Sequence, residues 1–191
     1  MVYIQWHGNR KLKIPIFSLP PVFTCIGATE LCKKICYGKK AWIYPMVRYH
    51  RWMNYAESLK DDFVEKMIAE LSKKKFSRFR LHETGDFYSQ EYLDKWIEIA
   101  KAFPKAKFLA YTKSWQLDFS QLPDNFVVYY SVMPDTRRYP KTKMPYVYVI
   151  GKGLIYKEEP KGFLCPYPEK GCDECGYKCW EGDRNVIFKK H

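Results

Sequence analysis

Phe79-Arg80-Leu81-His82-Glu83-Thr84-Gly85-Asp86-Phe87-Tyr88-Ser89, with Lys107-Phe108-Leu109-Ala110-Tyr111-Thr112 following it, is the stretch that decides the fold. Phe79 to His82 reads as a short strand. From Ser89 to Phe103 the apolar residues recur at helical intervals, with Ser89 suited to cap the start and Pro104 to stop the end. Lys107 to Thr112 then reads as a second strand. Two strands joined by a helix imply a parallel pair, because only a long crossover returns the chain in the same direction.

The same pattern extends outward. Upstream, Pro45 to Leu59 and Asp61 to Lys74 have helical spacing. Pro45 is placed for a first turn, and Asp61 and Asp62 lie at the positive end of the second helix. Downstream, Phe126 to Ser131 and Tyr146 to Ile150 read as further strands, the last closed by Gly151. The expected class is α/β: a partial (β/α) barrel or a small, mainly parallel sheet, with cysteine-rich loop segments at the N- and C-terminal ends. The chain reads as one domain, 1–191. A cysteine loop covers 1–44, an α/β core 45–157 and a Gly-, Pro- and Cys-rich segment 158–191.

In parallel sheets functional groups collect at the C-terminal ends of the strands. Those ends carry His82, Glu83, Gly85, Asp86, Thr112, Lys113 and Ser131. His82, Glu83, Asp86 and Lys113 are candidate proton-handling or catalytic groups. Gly85, Asp86, Thr112 and Ser131 are candidates for holding a cofactor. Taken singly, each also fits an ordinary polar loop.

The seven cysteines fall into two sets, Cys25-x6-Cys32-x3-Cys36 and Cys165-x6-Cys172-x2-Cys175-x3-Cys179. An odd count cannot pair fully within one chain. In a reducing compartment, clustered cysteines are more often ligands or catalytic groups than bridges. Three thiolates would leave one iron of a [4Fe-4S] cluster open, and four would close a second cluster. The expectation is two such clusters, with zinc as the alternative at the late quartet.

The formal net charge is +12, from 33 Lys and Arg against 21 Asp and Glu. A field of that sign attracts polyanions, so nucleic acid or a nucleotide is an expected partner. Arg48, Tyr49, His50, Arg51, Trp52 and Tyr55 form a basic, aromatic helical stretch suited to stacking on bases, although a helix with one buried aromatic face reads the same way. No apolar run reaches the ~18 residues of a membrane span, and Met1 to Leu12 lacks the apolar core of a signal peptide. Residence in the cytoplasm is expected, that of the host if the chain is viral. Oligomeric state is not legible.

Several motifs together resemble one family. Gly8-Asn9-Arg10-Lys11-Leu12, Thr24-Cys25-Ile26-Gly27 through Cys36-Tyr37, Arg80 through Ser89, Ala110-Tyr111-Thr112-Lys113-Ser114-Trp115, and Cys175-Gly176-Tyr177-Lys178-Cys179-Trp180 through His191 look like the phage and archaeal family called "gene product eighty-eight". The resemblance implies no particular activity. A more distant similarity is to radical S-adenosylmethionine enzymes. It implies a cluster on Cys25, Cys32 and Cys36, with S-adenosylmethionine on the open iron and Gly85 and Asp86 in the acidic loop. The superfamily's usual C-x3-C-x2-C is matched only at Cys32 and Cys36, since Lys39 stands at the third position. Two functional readings follow: an iron–sulfur, radical-enzyme-like redox protein, or a zinc-binding or iron–sulfur basic module that binds nucleic acid without catalysis.

Overall fold

The computed structural model describes residues 2–9 and 11–190. In chain order the elements are β1 (Ile16–Phe17), α1 (Glu30–Lys34), a 3₁₀ segment (Tyr37–Ile43), α2 (Pro45–Ser58), α3 (Phe63–Leu71), β2 (Arg78–Leu81), α4 (Gln90–Ala102), β3 (Lys107–Thr112), β4 (Phe126–Val132), β5 (Tyr146–Ile150), β6 (Phe163–Leu164), a short 3₁₀ turn (Lys178–Trp180) and β7 (Val186–Lys189). The strands form one sheet, ordered β1-β2-β3-β4-β5-β7-β6. Every ladder in it is parallel, from Ile16 opposite Arg80 to Phe163 opposite Val186. The α/β class read from the sequence is therefore the observed one.

Strand parity divides the sheet into two faces. Phe79 and Leu81 of β2, Phe108 and Ala110 of β3, and Phe126, Val128, Tyr130 and Val132 of β4 join the large core. Against them lie Phe63, Met67 and Leu71 of α3 and Tyr92, Leu93, Trp96 and Ile97 of α4. Trp96 is fully buried and packs edge-on to Phe17 and Phe63. Side chains of this size contribute roughly 1.5–3 kcal/mol each when buried. The helix start is fixed as the sequence suggests, since the Ser89 hydroxyl accepts the Tyr92 amide at 3.2 Å.

The opposite face carries Leu109 and Tyr111 of β3, Tyr129 of β4, Val147 of β5 and Val186 and Phe188 of β7, closed at one end by Trp180. Among the described residues α2, α3 and α4 contribute nothing to this cluster. The two cysteine segments, with Cys32 of α1 among them, lie around it, and the space they leave becomes the cavity described next.

α2 is built inside out. Its buried residues are Arg51, Asn54, Glu57 and Ser58, while Met46, Tyr49 and Trp52 are exposed. Asn54 fastens it: Oδ1 accepts the Tyr3 amide at 2.7 Å, and Nδ2 donates to the Tyr3 and Ser18 carbonyls. Arg51 meets Glu83 at 3.7 Å, and the Ser58 and Tyr88 hydroxyls share a hydrogen bond of 2.8 Å. The helix is held by polar contacts rather than by an apolar stripe.

Candidate functional site

The loop after β2 is drawn tightly onto the N-terminal segment. Thr84 exchanges two bonds of 2.9 Å with Leu19, its hydroxyl donating to the Leu19 carbonyl and its carbonyl accepting the Leu19 amide. Gly85 has φ +87, and a side chain there would collide with Leu19 and Thr24. The Thr24 hydroxyl donates to Pro20 O at 2.8 Å, and the Asp86 amide approaches it at 3.4 Å. These contacts set Cys25 beside Asp86. Two residues on, Gly27 lies against the Lys113 backbone with no room for a Cβ.

Asp86 is buried, and its carboxylate accepts three bonds. Thr112 Oγ1 and the Phe87 amide donate to Oδ1 at 2.6 and 2.7 Å, and the Lys113 amide to Oδ2 at 2.7 Å. Burial nevertheless raises its pKa to about 6, with those donors and the Lys113 ammonium pulling the other way. Lys113 Nζ donates to Ser131 Oγ at 2.5 Å. It also lies beside Cys32, whose thiol is raised by burial and drawn partly back by that lysine.

A cavity of about 580 Å³ opens over this second sheet face, a volume suited to a small organic ligand. Cys25, Cys32 and Cys36 line it from one side, and Cys165, Cys172, Cys175 and Cys179 from the other. The sequence separates the two sets by more than a hundred residues, yet the fold turns both into one chamber. All seven are free thiols. Burial pushes Cys25 up to about 12, with the Asp86 carboxylate adding to it, and pushes Cys172 up to about 11. A thiol is nucleophilic as its thiolate, so neither is an activated nucleophile at neutral pH.

The expectation of two four-iron centres is corrected by this geometry. Among the described residues no group of three or more His, Cys, Asp or Glu side chains is disposed to hold a metal ion. Ligation requires sulfurs converging on a point about 2.3 Å from each. Sequence spacing fixes only how near the backbones come, not where the sulfurs aim. The same finding overturns the zinc-module alternative.

The other expected residues are distributed as follows. Glu83, Gly85, Asp86, Lys113 and Ser131 line the cavity, and so does part of His82. The His82 ring, however, packs against Phe87 and accepts or shares a 2.9 Å bond with the Tyr92 hydroxyl. Burial, then the Arg80 charge, lowers its pKa to about 3. It is therefore a neutral core group and not a proton carrier near pH 7. Thr112 belongs to the helix-side face and is fully buried; it meets the site only through Asp86. His191 lies outside the described residues.

The sequence alone singles out no role for Arg80, which the cavity makes prominent. It is 7% exposed and lies 3.8 Å over the Tyr111 ring. Its Nη2 reaches only the His82 carbonyl, at 3.5 Å, and its buried Nη1 has no hydrogen-bond partner. Among the described residues it forms no ion pair with a carboxylate, whereas Glu83 is engaged by Arg51 and by Asn9. The available signal was the alternation Arg78-Phe79-Arg80-Leu81: in a buried strand, every second residue being arginine marks a polar face. Lys11, Lys40, Lys189 and Lys190 add cationic groups to the same lining.

The family model described as "Gene product 88" matches residues 3–149, a span that ends before Cys165. The "Gene 88 protein" of Mycobacterium phage L5 is 29% identical over 198 residues, covering 87% of this chain and 82% of the phage protein. That of Mycobacterium phage D29 is 28% identical over 128 residues, covering 59% and 53%. No solved structure matches. These matches bear out the family resemblance and lend none to radical S-adenosylmethionine enzymes.

Proposed function

This chain belongs to the Gene product 88 family, and on that premise we propose that its cavity binds a small phosphorylated molecule of the nucleotide class. The observation that carries the reading is Arg80: a buried guanidinium, unpaired with any acid among the described residues, in the wall of the cavity. A buried charge without a partner is costly, and an anion supplied by a ligand removes the cost. Guanidinium takes phosphate oxygens through two parallel N–H bonds. Lys113, just past the end of β3, and the Ser131 hydroxyl of β4 are placed to receive a second oxygen. The remaining wall, Ile16, Leu109, Val147, Val149 and Phe188, offers an apolar surface to the uncharged body of the ligand. Asp86 holds the Lys113 backbone in place, and three of its acceptor sites are taken by Thr112, the Phe87 amide and the Lys113 amide. The matches to phage proteins support the cytoplasm of an infected cell as the place of action.

Thermal melting and calorimetry with inorganic phosphate, AMP and adenosine test this. AMP should raise the melting midpoint most, phosphate less, and adenosine little. Arg80→Met should weaken AMP binding about 10- to 100-fold, the scale of a lost charge-assisted hydrogen bond. If Arg80→Met fails to fold, Lys113→Met at the rim should still weaken AMP. Equal binding of adenosine and AMP, or no response to either phosphate compound, refutes the proposal.

A further inference from the structure

Between Leu31 and Ala56 the sequence holds six Lys and Arg and not one Asp or Glu. Arg51 is turned inward to Glu83, and Lys33 is paired with Glu30. Lys34, Lys39, Lys40 and Arg48 are exposed, and no ion pair engages them among the described residues. Interleaved with these cations are side chains that a folded protein would ordinarily bury. Tyr37, Ile43, Tyr44, Met46 and Tyr49 are each 60% exposed or more, and Trp52 and Phe23 follow at 41% and 57%. The rings form a raft: Phe23 to Trp52 at 4.8 Å, Trp42 to Trp52 at 6.3 Å, and Phe23 to Tyr55 at 5.2 Å between centroids.

An exposed aromatic face on a helix that buries its polar side is not explained by folding, because the helix is already fastened through Asn54, Arg51 and Ser58. An apolar patch of this kind marks a binding surface. We infer that the outward face of the Tyr37–Ile43 segment and α2 binds single-stranded nucleic acid. Flat rings stack on unpaired bases irrespective of sequence, and unpaired lysines and arginines between them neutralise phosphates. A protein partner would have to be strongly acidic to meet that charge. An anionic bilayer surface draws on the same aromatic and basic residues, so vesicles enter the test below as the competing outcome. Tyr37 and Lys40 stand where this surface meets the cavity, but Lys34, Lys39, Arg48, Tyr49 and Trp52 do not line it, so variants at those five test this surface separately from the nucleotide site.

The test is fluorescence anisotropy with a labelled oligothymidylate of about fifteen nucleotides, enough to span several stacking positions. Binding should weaken steeply as salt rises, and a duplex of equal length should bind less well. Tyr49→Ala with Trp52→Ala should raise Kd about tenfold or more. Lys39→Ala with Arg48→Ala should lower the slope of log K against log salt by roughly 1.4, from two lost phosphate contacts. Should the aromatic pair disturb folding, the charge pair alone decides. Absence of oligonucleotide binding, unchanged affinity and slope in both variants, or tighter binding to phosphatidylglycerol vesicles lost in the same variants, each overturns the inference.

Discussion

Gly27 lies directly against the backbone of Lys113: a Cβ on the glycine would fall inside the contact shell of the Lys113 carbonyl oxygen. This one approach seats the first cysteine loop on the end of β3. Neither partner is a flexible side-chain tip, so neither gives way cheaply. Gly27→Ala should cost about 2–4 kcal/mol, the range for overpacking plus backbone displacement. Urea unfolding measures the loss. Trypsin should also cut faster at Lys33 and Lys34 in the variant, and an unchanged midpoint with unchanged cleavage would refute the account.

His82 and Asp86 oppose one another across acidic pH. His82 titrates at about 3 when folded, below the ordinary imidazole value, so it contributes stability that is lost as pH falls from about 6.5. Asp86 titrates at about 6, above the ordinary carboxylate value, so its ionisation removes stability as pH rises from about 4 to about 6. Each effect amounts to about 3 kcal/mol at most over that window. The two nearly cancel in the parent chain. Asp86→Asn should therefore expose a loss of stability on acidification. His82→Asn, which tolerates the left-handed backbone at φ +59, should expose the opposite slope. Denaturation at pH 4, 5 and 6.5 decides, and three parallel profiles would sink the pairing.

The half-buried thiols of Cys25 and Cys172 should be slow. With Cys25 raised to about 12 and Cys172 to about 11, the thiolate fraction at pH 7.5 lies roughly 100- to 1,000-fold below that of an ordinary thiol. Iodoacetamide labelling followed by peptide mass mapping should show that deficit in the metal-free folded chain and its disappearance in urea. Labelling of Cys25 at the rate of an unfolded control would refute the burial argument.

The large helix-side half of the fold is legible because apolar periodicity is a local property. Trp96 and its neighbours at helical spacing, and the runs from Phe79, Phe108 and Phe126, declare themselves. β1 and β6 are two residues long, too short for a period to register. β7 is obscured by the cysteine-rich tail before it. At the site, parity explains both an error and an omission. Thr112 shares the phase of Phe108 and Ala110 and so faces the helices, while Arg80 has the phase that faces the cavity. The meeting of two cysteine segments in one chamber depends on tertiary packing, which spacing does not encode. Spacing likewise gave no account of sulfur direction, and there the cluster expectation failed.

The polar underside of α2 separates what keeps the helix in place from what it displays. Asn54, Arg51 and Ser58 secure it through contacts in which positions 46, 49 and 52 take no part. Mutational drift on the outer surface can then retune affinity or preference for a new target while leaving the melting point nearly untouched. Relatives that share this underside should tolerate wide divergence at those outward positions, and a library randomised there would yield mostly folded clones.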